Sequence, residues 1–248
     1  MKLSHKFVKL GQPLTYRRTW RRVRRSLFPI RAATLLERID QNRLLALQEQ
    51  YGLWSPTASA GWPDYAKYLD LDTYLPLNIR RVQDLNLQCA PSMDILDIGC
   101  GAGFFLFIAQ AQGHRGLGLD VAGIPVFDAM VELFGVRRII HAIKAFQPLP
   151  DLGLKFDLIT GFSTSFHGKR EHSWCWGAKE WDFFITDLER HLKPGGRIFF
   201  GLNPSDGESY YTPEILEVFA RHGADVEREN VLFTPGHRTG RPGPNPKR

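Results

Sequence analysis

Three glycines at alternate positions follow an aspartate in Leu96-Asp97-Ile98-Gly99-Cys100-Gly101-Ala102-Gly103-Phe104. Without Cβ atoms such a loop lets the backbone pass close to a bulky ligand, and a helix starting at its end turns free N–H groups toward that ligand. Two cofactor chemistries use loops of this kind. A dinucleotide calls for G-x-G-x-x-G, where the third glycine permits tight helix–strand packing under a pyrophosphate; here that position is Phe104. A carboxylate at Asp97 repels a diphosphate but attracts a sulfonium and an α-ammonium. Asp120 ends Gly116-Leu117-Gly118-Leu119-Asp120, about twenty residues after the loop, where an acid accepts both hydroxyls of a ribose. A nicotinamide enzyme uses the same acid, so Asp120 discriminates only in combination with Asp97 and the loop spacing. The set favours S-adenosylmethionine. A nicotinamide-dependent oxidoreductase and a non-catalytic S-adenosylmethionine-binding module are the competing readings.

Acceptor chemistry is written less sharply. Methyl transfer is an in-line displacement on an activated sulfonium, so positioning does much of the work and a general base is needed only for a poor nucleophile. His167, in Gly161-Phe162-Ser163-Thr164-Ser165-Phe166-His167-Gly168, is the candidate base, since an imidazole takes up a proton near neutral pH; an ordinary loop histidine is the competing reading. The aromatic stretch His172-Ser173-Trp174-Cys175-Trp176 reads either as a lid over a planar or apolar substrate or as packing beneath the next helix. Asn203-Pro204 falls at the same edge of the fold, and is equally a turn former.

These residues need a scaffold of alternating strands and helices. Strands are expected at Asp94–Ile98, Gly116–Asp120, Arg137–Ala142, Phe156–Thr160 and Arg197–Leu202, with Asp225–Glu229 and Val231–Thr234 as a closing antiparallel pair. Helices are expected at Phe104–Gln112, Ile124–Phe134, Ala178–His191 and Pro213–His222; Trp181, Phe184, Ile185 and Leu188 mark a buried face. Upstream, one helix is expected from Ile30 to Tyr51 with Gly52 as its cap, and another from Leu71 to Leu87. The fold class is α/β: a doubly wound, mostly parallel seven-stranded sheet with an N-terminal helical extension. In such a sheet ligands sit outside the carboxyl ends of the strands, where strand order reverses.

The order of these segments resembles the class I S-adenosylmethionine-dependent methyltransferases. LDIGCGAG at 96–103 is similar to their first motif and GLGLD at 116–120 to their second. FDLIT at 156–160 resembles the fourth strand, and LKPGGRIFF at 192–200 the turn into the fifth. The resemblance spans roughly residues 70–234 and implies a Rossmann-like methyltransferase fold. It implies cofactor contacts at Asp97, Gly99, Cys100, Gly101, Gly103, Asp120, Val121, Ile143 and Gly161. Asp97 and the glycines would lie along the methionine end, and Asp120 would hold the ribose. The family's acidic residue after the third strand, an adenine contact, is replaced by Ala142-Ile143-Lys144, which leaves Ile143 and the backbone for that role. Amino-methylating DNA enzymes resemble [DNS]-P-P-[YFW] after the fourth strand, where this chain has GFST, and a cytosine-C5 enzyme needs a Pro-Cys there. The acceptor is therefore expected to be a small molecule, a lipid or glycan precursor, or a protein side chain, with the small molecule leading.

Of 248 residues, 43% are hydrophobic and 23% charged, enough for a domain with a substantial core. The net charge of +6 is unevenly distributed: residues 1–36 hold ten Lys or Arg and no acid, and residues 235–248 hold four and none. The intervening body has eighteen basic against twenty-six acidic residues, so a general nucleic-acid reading fails for it. Residues 1–64 read as a basic amphipathic extension and linker, 65–234 as the cofactor domain, and 235–248 as a disordered Gly/Pro-rich basic tail. Tyr16, Trp20, Val23 and Leu27 recur at helical spacing among arginines. For this stretch a solvated or partner-facing helix, an anionic membrane contact through residues 14–28, a nucleic-acid arm and a transit peptide compete. Cys89, Cys100 and Cys175 show neither disulfide nor zinc spacing, no metal is expected, and no run is long enough to span a bilayer. A cytoplasmic protein, peripheral at a membrane surface, is the resulting expectation.

Overall fold

The structure, a computed structural model, describes residues 23–52, 65–168, 174–203 and 211–236. Contacts divide the chain into two units.

One unit, Met93–Gly101 with Arg115–Ile124 and Val136–Arg248, holds the sheet. Its strands are β1 (Asp94–Ile98), β2 (Arg115–Asp120), β3 (Arg138–Ile140), β4 (Phe156–Phe162), β5 (Leu192–Gly201), β6 (Ala224–Glu227) and β7 (Asn230–Phe233). They lie in the order β3-β2-β1-β4-β5-β7-β6. The first five pair in parallel, while β7 runs antiparallel to both β5 and β6. From β1 the chain winds outward to β2 and β3, then returns to β4 on the other side, so strand order reverses between β1 and β4. The interior strand positions Ile95, Leu96, Ile98, Leu119, Leu158 and Ile159 are fully buried, as expected of parallel strands covered on both faces.

One sequence expectation changes in detail in this unit. Strand β5 begins five residues early: Leu192 pairs with Phe156 and Arg197 with Leu158, so Lys193-Pro194-Gly195-Gly196 is an excursion within the strand and not a turn before it. Lys193 there reaches Asp157 at 2.8 Å and also pairs with Asp94, tying the starts of β1, β4 and β5. Helix α6 (Ala178–Glu189) buries Trp181, Phe184, Ile185 and Leu188 as expected, together with Asp187. The Asp187 carboxylate accepts the Leu149 N–H at 2.7 Å, which makes its burial affordable. Helix α7 (Pro213–Arg221) starts at Thr212, whose hydroxyl caps Ile215 N–H. Its end is held by His222, whose two ring nitrogens meet Glu189 at 2.8 Å and Asp182 at 2.9 Å.

In the other unit, Met1–Ser92 with Ala102–His114 and Pro125–Gly135, the elements among the described residues are helices. It contains α1 (Ala32–Leu36), α2 (Gln41–Tyr51), α3 (Leu71–Asp84), α4 (Phe104–Ala111) and α5 (Pro125–Leu133). The single helix expected from Ile30 to Tyr51 is broken: Asp40 leaves helical geometry and accepts the Arg43 N–H at 3.0 Å, starting α2 afresh. Gly52 ends α2 at φ 81°, as expected. Ring contacts hold the unit together. Phe104 meets Tyr74 and Phe134, Phe107 stacks on Phe134 at 4.5 Å, and Tyr65 and Tyr68 meet Phe127 edge-on. Residues 14–22 of the expected basic helix and the tail from 237 lie outside the described residues.

Candidate active site

The carboxyl ends of β1, β2 and β4 lie side by side in the sheet unit, with Asp97 flanked in register by Gly118 and Thr160. Asp97 is buried, and its carboxylate accepts the Thr160 hydroxyl at 2.7 Å. Beyond β1 the backbone turns through Gly99 and Gly101, at φ 69° and 53°, which L side chains adopt only under strain. The Gly99 N–H donates to Leu119 O at 2.7 Å, clipping the loop to β2. At the end of β2, Asp120 closes the arrangement: one oxygen accepts the Gly101 N–H at 2.5 Å and the other accepts Val121 N–H at 2.7 Å. Each carboxylate oxygen retains a second lone pair, so holding the loop still leaves two acceptors for a diol.

The remaining expected site residues are held in different ways. Cys100 is buried with its sulfur against Gly118, where an added Cβ would meet it at 2.5 Å. Burial, with Asp97 and Asp120 nearby, pushes its thiol pKa upward, so Cys100 is an inert packing group that faces a ligand through its backbone alone. Val121 is exposed just past Asp120, and Ile143 is partly buried, packed on the sheet core after β3. Gly161 lies in β4 opposite Phe200, whose ring an added Cβ would approach to 2.9 Å. Gly103, in the helical unit, is the left-handed residue that starts α4, at φ 81°. Phe104, which displaces the third dinucleotide glycine, is a buried ring anchor of that unit.

His167 is not an exposed loop residue. It is 7% exposed, with Phe166 and Trp181 rings at 5.6 and 5.4 Å, and burial lowers its pKa to about 4. Its Nδ1 is buried without a hydrogen-bond partner, and so is the hydroxyl of Thr164 on the same loop. The loop itself is fixed from several sides. Ser163 adopts φ 53°, donates its N–H to Gly201 O at 2.7 Å, and accepts from the Asn203 side chain at 2.9 Å. The Thr164 methyl occupies the space over Gly99, 2.3 Å from where a Cβ would stand. Trp174 lies on Gly168, and Trp176 donates its N–H to His167 O at 2.8 Å. Trp176 is buried in the aromatic bed, as packing beneath the next helix requires, while Trp174 is exposed; His172 and Ser173 lie outside the described residues.

Sequence reasoning missed Thr160, Thr164 and Gly118. Nothing in the sequence aligns Thr160 with Asp97 or brings Thr164 over Gly99, because both depend on register and loop course. Gly118 was legible: a glycine inside a strand signals close approach of another group.

A parallel sheet that reverses between β1 and β4, with a glycine loop fastened to an acid at the end of β2, is the Rossmann-like arrangement in which nucleoside cofactors bind. Residues 96–200 match the family model described as "Methyltransferase domain". Residues 96–200 therefore form a methyltransferase domain, consistent with the class I S-adenosylmethionine-dependent enzymes and with S-adenosylmethionine as the cofactor. Among solved structures, DesVI of Streptomyces venezuelae is 14% identical, with a TM-score of 0.50 over 68% of this chain and 95% of that one, a likeness of fold. PH0226 of Pyrococcus horikoshii OT3 is 14% identical, covering 71% and 100% of the two chains with a TM-score of 0.47. CalS10 of Micromonospora echinaspora, an amino pentose methyltransferase solved with S-adenosylmethionine, is 22% identical over 52% of this chain and 50% of that one, with a TM-score of 0.38. No curated protein sequence matches the chain.

Proposed function

We propose that the methyl acceptor is a small molecule held against the carboxyl edge of the sheet by the loop 163–168, a class that includes lipid and glycan precursors. The observation that carries this reading is the pair of buried, unpartnered polar atoms on that loop, Thr164 Oγ1 and His167 Nδ1, beside the glycine loop. Buried polar groups without partners are rare and costly, and a bound ligand is one way of satisfying them. The loop's polar groups at these positions are neutral, and the body of the chain is acidic, which disfavours a nucleic acid.

When bound, the cofactor supplies a methyl carbon that is attacked by the acceptor's lone pair while the carbon–sulfur pair returns to sulfur. Asp97, fixed by Thr160, would set a negative charge near the methionine end. Gly99 and Gly101 would let the backbone approach it, with Cys100 and Gly161 shaping the same surface. Asp120 would accept the ribose hydroxyls, while Val121 and Ile143 would flank the adenosine. His167, kept neutral by burial, would orient the acceptor as a hydrogen-bonding group and serve only weakly as a base.

The test uses methyl-labelled S-adenosylmethionine with cell extract separated into small-molecule, lipid, protein and nucleic-acid fractions. Label in the small-molecule or lipid fraction is expected; label confined to protein or nucleic acid overturns the reading. Asp120→Ala should weaken S-adenosylhomocysteine binding by calorimetry with circular dichroism unchanged, and unaltered affinity would remove Asp120 from the site.

A further inference from the structure

The basic end of the chain carries an apolar surface that the methyltransferase reaction does not use. Residues 23–27 are helical, and the turn is completed by Phe28 N–H donating to Arg24 O at 2.9 Å. Val23 and Leu27, one turn apart, share a face, and Leu27 and Phe28 are 67% and 49% exposed. Arg25, on another side, pairs with Asp84 at the end of α3 and fastens the turn to the helical unit. Arg24 and Arg31 are exposed beside the apolar residues. The stretch therefore presents large apolar side chains and cations together, while one arginine is spent on anchoring.

We propose that this surface docks on an anionic lipid bilayer, with Leu27 and Phe28 entering the interface and the arginines meeting lipid phosphates. Charge complementarity names the partner: ten basic residues and no acid lie between residues 1 and 36, on a body of opposite charge. A nucleic acid would also take up the arginines, yet would leave Leu27 and Phe28 exposed to water; the interface of a bilayer accommodates both kinds of side chain at once. Among the described residues no helix is long and apolar enough to cross a membrane, so the contact is at the surface. Docking there would place the methyltransferase where amphiphilic acceptors concentrate.

The experiment is sedimentation of the full chain at low salt with vesicles of phosphatidylcholine alone and of phosphatidylcholine mixed with phosphatidylserine. Duplex DNA in a parallel binding assay is the polyanion control. The protein should pellet with the anionic vesicles and not with the neutral ones. Leu27→Asp with Phe28→Asp should lower the vesicle partition by about tenfold or more, with thermal stability and S-adenosylhomocysteine binding retained. The variant should still bind DNA to whatever extent the parent does, since the arginines are untouched. Absence of vesicle binding, which is also the result if residues 1–22 cover the patch, overturns the proposal. Equal partition of parent and variant overturns it too, because charge alone would then account for binding, and so does tight DNA binding with vesicle binding abolished by equimolar DNA.

Discussion

Replacing Thr160 by valine removes one hydroxyl from the base of the site while preserving side-chain shape. The hydroxyl lies 2.7 Å from Asp97 Oδ1, with Thr160 fully buried and Asp97 3% exposed, so water cannot easily replace it. A hydrogen bond to a charged group contributes about 1.5–3 kcal/mol, and a buried acceptor that loses its donor suffers a desolvation cost of similar size. The added methyl returns part of this through apolar burial, about 0.8 kcal/mol if it fits. The net expectation is destabilisation of about 1–2 kcal/mol, or roughly 2–8 °C in Tm for a chain of this size. Urea denaturation should show a lower midpoint at unchanged m-value. Calorimetry should show weaker S-adenosylhomocysteine binding, because one of the contacts that orient Asp97 toward the cofactor is then lost. Thr160→Ser keeps the hydroxyl and should recover most of the affinity. If Thr160→Val matches the parent in both midpoint and affinity, the bond to Asp97 neither stabilises the strand ends nor positions the acid, and the construction of the site argued above fails.

Gly118→Ala should destabilise by about 1–3 kcal/mol through overpacking, since its Cβ would meet the Cys100 sulfur at 2.5 Å; adding Cys100→Ala should recover part of the loss, and a strictly additive double mutant would refute the contact. His167, with its pKa lowered to about 4 by burial, should make stability decline as pH falls from 6.5 toward 4, because the unfolded chain takes up a proton that the folded chain refuses. That contribution is on the order of 3 kcal/mol; it should vanish in His167→Phe, and an imidazole resonance titrating near 6.5 would contradict it. Asp94 is held down to about 2 by the Arg115 guanidinium and by Lys193. Its stabilisation is complete above the ordinary carboxylate range and is lost as pH falls through about 2, by on the order of 1 kcal/mol after solvent screening. Asp94→Asn should therefore flatten the acid limb of the stability curve between about pH 4 and 2, and an unchanged limb would discard the assignment.

What could be read from the chain was what depends on neighbours in sequence. The alternation of apolar runs with amphipathic segments identified all seven strands and the helices between them, because burial imposes a period on each segment. The glycine spacing at 99–103 and the acid at 120 were legible for the same reason: left-handed turns and strand ends are local requirements, and the structure meets them at Gly99, Gly101 and Gly103. The break at Asp40 was missed: aspartate is a favoured N-cap, but only the folded backbone shows it accepting from Arg43 and starting a new helix.

Tertiary structure decided what depends on register and enclosure. Thr160 meets Asp97 across 63 residues because β4 slots beside β1 at one register, and a shift of one residue would turn the hydroxyl to the other face. His167 looked like a titrating loop histidine; a shell of aromatic rings makes it a neutral, buried group. Trp174 and Trp176, two residues apart, were divided between surface and core by the course of one loop. Sequence spells out the local geometry that a cofactor loop requires. Burial, and with it the charge state and orientation of the groups facing the acceptor, arises only when distant segments exclude water from one another.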